Sequence, residues 1–93
     1  MSDAFEVLNI IDDKVVDEQS YFLVVWKDTI SDEMAPLLRT YKKYKDDVHE
    51  FGKKNQTYTI TWKNTWMSFE QLKDDADETL AIYLLLKLKK YNQ

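Results

Sequence analysis

A chain of 93 residues with 44% hydrophobic side chains has material for one small core, so residues 1–93 are read as a single domain. Its net charge of −4 argues against nucleic acid as a partner, and the absence of cysteine excludes disulfides and thiolate metal sites and points to a reducing, intracellular compartment. The N-terminus MSDAFEV has no basic-then-apolar leader, and the longest apolar run, Leu80 to Leu86, falls far short of the roughly 20 residues that cross a bilayer, so a soluble chain without a membrane partner is expected.

The charge is unevenly divided. Residues 1–34 hold nine acids against two lysines, residues 35–56 six bases against three acids, and residues 57–93 five of each. An acidic N-terminal part suits a basic peptide.

Along the chain, FEVLNIIDDKVV at 5–16 is rich in Val, Ile and Leu with acids between them and reads as a strand. A polar turn at Asp17-Glu18-Gln19-Ser20 returns it as a second strand over Tyr21 to Lys27, giving a β-hairpin. From Ser31 the period lengthens to about 3.6: Leu37, Leu38, Tyr41, Tyr44 or Lys45, Val48 and Phe51 share one helical face. With Pro36 in the first turn and Gly52, the only glycine, as a stop, this predicts a helix over about 34–51. Thr57 to Lys63 alternates Tyr58, Ile60 and Trp62 with threonines, as a strand with one buried face does. A final helix over about 76–91 opens on the capping-box pattern Asp75-x-x-Glu78 and closes on Lys87, Lys89 and Lys90. Its run Leu80 to Leu86 is apolar all round, more than one small sheet covers. Either the 34–51 helix, a second copy or another protein should touch it.

No enzyme chemistry is visible. His49 is the only histidine and sits among charged residues, the single glycine rules out a phosphate-cradling loop, and pairs such as Asp12-Asp13, Asp46-Asp47 and Asp74-Asp75 are adjacent rather than spaced as an acid–base pair. No catalytic residue, metal site or cofactor is expected. The basic set Arg39, Lys42, Lys43 and Lys45 reads as a solvated helix face, since Asp46, Asp47 and Glu50 follow it.

Two stretches then point to a family. FEVLNIIDDKVVDEQSYFLVVWKD at 5–28 resembles the opening of a chromodomain, and NTWMSFEQL at 64–72 is similar to that family's second conserved block, with an apolar C-terminal helix following in both. The resemblance implies an α+β fold in which a small curved antiparallel sheet is packed by the C-terminal helix. It also implies a nuclear module of chromatin that binds a histone tail, or another basic peptide, with methyl-lysine held in an aromatic cage. In the family the two blocks nearly adjoin; here an insertion at about 29–56 separates them and carries the 34–51 helix.

By the resemblance, Phe5 matches the first cage aromatic and Trp26 the second, while the third position falls on Thr29, which has no ring. Tyr58, Trp62 or Trp66 would complete the cage, with Trp66 read first as packing beneath the final helix. Glu6, Val7 and Gln71 match peptide-clasping positions, whereas Met67, Ser68 and Lys73 depart from the pattern. The repeated strands FLVVWKDT (22–29) and YTITWKNT (58–65) set Trp26 and Trp62 against each other for one cage position. The alternative is a degenerate chromo or chromo-shadow-like interaction or dimerisation domain without methyl-lysine recognition, working through Leu80, Tyr83, Leu84 and Leu88.

Overall fold

A computed structural model describes residues 5–91, in an α+β fold of two three-stranded antiparallel sheets and three helices. These residues fall into two compact units. The first is Trp26–Lys63 with Phe5 and Glu6; the second is Val7–Val25 with residues 64–91. Among the described residues, no helix is long and apolar enough to cross a membrane.

The second unit opens with the expected hairpin, β1 (Val7–Val16) and β2 (Gln19–Trp26). The loop between them is shorter than the four polar residues foreseen. Asp17 and Glu18 alone form it, both at positive φ (50° and 68°), as a two-residue turn matched to strand twist requires. β2 alternates cleanly, with Phe22 and Val24 buried. β1 does not: its inward positions are Val7, Ile10 and Asp13, and the backbone N–H groups of Ile10 and Asp13 donate to the side chains of Asn9 and Asp12. β6 (Thr65–Ser68) joins the far side of β2 with Tyr21 opposite Ser68 and Val24 opposite Thr65, giving the order β1-β2-β6.

Two helices follow where one was expected. Ser68 caps α2 (Phe69–Asp75): its hydroxyl accepts from the Gln71 backbone N–H, and the Gln71 side chain accepts from the Ser68 N–H, a reciprocal capping box. The box foreseen at Asp75 does not form, because Asp75 is the last residue of α2. α3 (Asp77–Tyr91) instead opens on the Asp77 carboxylate, which accepts from Glu78 N–H. It packs on β1 and α2 with Leu80 buried.

At the β1–α3 contact, Lys87 Nζ and Tyr83 Oη both donate to one oxygen of Asp13, the tyrosine at 2.5 Å. Those two donors hold the Asp13 carboxyl below its ordinary pKa of 3.8. A carboxyl acidified by folding adds stability above its unfolded pKa and loses that contribution as pH falls through the folded one. Asp13→Asn should therefore cost about 1 kcal/mol at neutral pH. In urea titrations the difference from wild type should shrink progressively below pH 3.8; a gap that persists unchanged in acid would contradict this account.

In the first unit, β5 (Thr57–Trp62) is the central strand of a sheet ordered β3-β5-β4. β3 (Thr29–Ser31) and β4 (Val48–Lys54) flank it, and α1 (Met34–Tyr44) packs on the sheet. Leu37, Val48, Ile60 and Trp62 form the buried cluster, with Trp26, Tyr41, Tyr44, Phe51 and Tyr58 packed against it.

The helix expected over 34–51 ends at Tyr44, and after a single 3-10 turn the chain enters β4. The misreading has a physical source. Val48 pairs with Trp62 and Phe51 with Ile60, while the register slips between Val48 and Glu50, leaving an extra residue at the bulge. A bulge shifts side-chain alternation by one, so Val48 and Phe51 face the core three residues apart, a spacing that imitates a helical stripe. Gly52 lies inside the strand rather than ending a helix. The chain reverses instead at Asn55, which takes positive φ (58°) at the β4–β5 turn.

Candidate functional site

An aromatic trio stands at the rim of the first unit. The backbone N–H of Lys27 donates to the Glu6 carbonyl at 2.9 Å, and Lys27 Nζ meets the Glu6 carboxylate at 2.9 Å. These contacts hold the segment carrying Phe5 beside the end of β2. The Phe5 ring then lies edge-to-face with Tyr44 (centroids 5.1 Å apart, planes at 81°) and with Trp62 (5.0 Å, 72°). Tyr44 and Trp62 meet at 6.1 Å and 78°, so the three rings are mutually close to perpendicular.

Each ring is positioned by a different element. Trp62 ends the alternating strand β5, is only 7% exposed, and its indole N–H donates to Thr29 Oγ1 at 2.9 Å. Tyr44 closes the apolar stripe of α1. Phe5 is 41% exposed and is the most exposed ring of the trio, with Tyr44 half-buried. Trp26 packs against the same cluster.

Trp26 and Trp62, the rivals for one cage position, both pack in the aromatic cluster of the first unit. Thr29, the position without a ring, accepts the indole N–H of Trp62 from β5. Tyr44 is the member that sequence reasoning did not assign. Its place at the end of the helical stripe marked it as inward-facing, but its meeting with Phe5 depends on long-range pairing that local pattern does not carry.

Perpendicular contacts set the electropositive edge of one ring against the electronegative face of another. A methylammonium is attracted to such a face in the same sense, by its polarised C–H groups. One cation is already near: Lys43 Nζ lies 5.2 Å from the centre of the Tyr44 ring.

The other expected site residues are placed elsewhere or engaged otherwise. Trp66 lies on β6 in the second unit, 38% exposed, with Lys14 Nζ 4.2 Å from its ring centre. Tyr58 faces the cluster half-buried, with Lys53 Nζ 5.6 Å from its ring. Glu6 is in its ion pair with Lys27, Val7 begins β1, and Gln71 is engaged in the α2 cap. Of the expected interface set, Leu80 is 4% exposed and Tyr83 is bonded to Asp13, so both face their own unit, whereas Leu84 and Leu88 are exposed. Arg39, Lys42, Lys43 and Lys45 are all exposed, and His49 is exposed at the β4 bulge. Among the described residues, no three His, Asp or Glu side chains converge as a metal site would require.

No family model, curated protein or solved structure matches the chain.

Proposed function

We propose that this chain is a chromodomain-like peptide-binding module of nuclear chromatin that receives the lysine cation of a basic, histone-type tail on its Phe5–Tyr44–Trp62 aromatic group, with Trp26 beside it. The observation that carries the reading is the trio itself. Three rings from three separate elements meet near-perpendicularly, and the most exposed one is Phe5, the position where the resemblance implies the first cage wall.

Charge near the trio is mixed, with Lys27, Lys43, Lys45 and Lys63 exposed there as well as acids. The acidic residues Asp28, Asp46 and Asp47 lie close in sequence to Thr29 and Tyr44, and each is exposed. Methylation favours binding because a methylated ammonium gives up its water more readily while keeping its charge for the rings.

Titrating trimethyl-lysine and unmethylated histone-tail peptides by calorimetry tests the proposal. The methylated peptide should bind about tenfold more tightly, and Phe5→Ala should erase that preference, since cation–π contacts of this kind contribute about 1–2 kcal/mol. Equal, negligible heats for both peptides would sink it.

A further inference from the structure

On the face of α3 turned away from its sheet, apolar side chains stay exposed among the described residues. Leu80, Tyr83 and Lys87 lie toward β1, and on the other side Ala81, Ile82 (52%), Leu85 (57%) and Leu88 (56%) are exposed over successive turns. Four exposed apolar positions on a helix of 15 residues form a stripe that water solvates poorly.

The charges at the ends of that stripe identify what covers it. Glu78 and Lys89 are eleven positions apart (89 − 78 = 11), about three turns at roughly 3.6 residues per turn, so they share the face that Ile82 and Leu85 occupy between them. The stripe therefore reads acid, apolar, apolar, base from its N-terminal to its C-terminal end. Such a pattern is complementary to itself in reverse. A two-fold axis crossing the helix midway between Glu78 and Lys89 sets Glu78 of each copy against Lys89 of the other, and Ile82 of each against Leu85 of the other. Parallel pairing would oppose like charges at both ends.

We infer that two copies of this chain associate through α3 in antiparallel register, with Ile82 and Leu85 at the centre and two symmetric Glu78–Lys89 pairs closing the ends. The interface is isologous, so one patch serves both partners and the assembly stops at two. Small Ala81 lets the helices approach, and Leu88 flanks the seam. This surface differs from one built on Leu80 and Tyr83, and it stands independently of peptide binding by the aromatic trio.

Sedimentation equilibrium of the full chain, from micromolar to millimolar concentration, provides the test. The wild type should fit a reversible dimer. Leu85→Asp, at an exposed position, should be monomeric with an unchanged far-UV circular dichroism spectrum. Glu78→Lys and Lys89→Glu should each weaken association roughly tenfold, because each opposes like charges twice, and the two combined in one chain should restore it. A wild-type monomer throughout, a dimer that survives Leu85→Asp, or a dimer indifferent to the single reversals overturns the inference.

Discussion

Trp62→Ala should lower the folding free energy by about 3–5 kcal/mol, the range for removing a large buried ring. Trp62 is 7% exposed and sits among Leu37, Val48 and Ile60, so truncation opens a cavity against three residues held by α1, β4 and β5. Phe5 and Tyr44 lose their edge-to-face partner, and the Thr29 hydroxyl loses its donor. Since a domain of this size has about 5–10 kcal/mol in total, the variant should be partly unfolded at 37 °C. Trp62→Phe separates the contributions: it keeps a ring for the trio but not the indole N–H, and should cost only about 1–2 kcal/mol. Urea melts followed by circular dichroism decide the matter. A loss below about 1 kcal/mol for the alanine variant would mean that Trp62 contributes little to this core.

The same tryptophan shows how far local pattern reaches. The alternation Tyr58, Ile60, Trp62 made β5 and its buried face legible, and the opening hairpin and the α1 stripe Leu37–Tyr41–Tyr44 were legible for the same reason, since periodicity reports which side meets the core. Where periodicity was altered, the reading failed. The β4 bulge gave Val48 and Phe51 a helix-like spacing, and the Ser68–Gln71 box was hidden within a segment read for its family likeness, so the short helix α2 went unseen. The site was half legible. Phe5 and Trp26 could be named from the resemblance and Trp62 from the alternation of β5, but Tyr44 could not, because nothing local distinguishes a helix-end tyrosine that meets Phe5 from one that only fills the core. On α3, an all-round apolar run showed that extra coverage was needed without showing which side was already occupied. Asp13, reaching Tyr83 and Lys87 from β1, fixes that side.

Joining Val25 to Asn64 through a two-residue Asn-Gly turn, in place of residues 26–63, should leave a folded three-stranded sheet with α2 and α3. β2 and β6 are antiparallel, and their last pair is Val24 with Thr65, so the next residues, Val25 and Asn64, stand where a tight hairpin closes. Asn-Gly suits that turn because both of its positions require positive φ. The shortened chain keeps the buried residues Ile10, Phe22, Val24, Leu72 and Leu80, the Asp13 cluster and the exposed face of α3. It discards Trp26, Tyr44 and Trp62. Lysine-peptide binding should therefore vanish while self-association persists, and the low stability of so short a chain, on the order of a few kcal/mol, should rise with concentration as the dimer forms. Dispersed amide resonances and a helical circular dichroism signal are the expected results. A disordered spectrum at every concentration would mean that the sheet β1-β2-β6 folds only together with the segment removed.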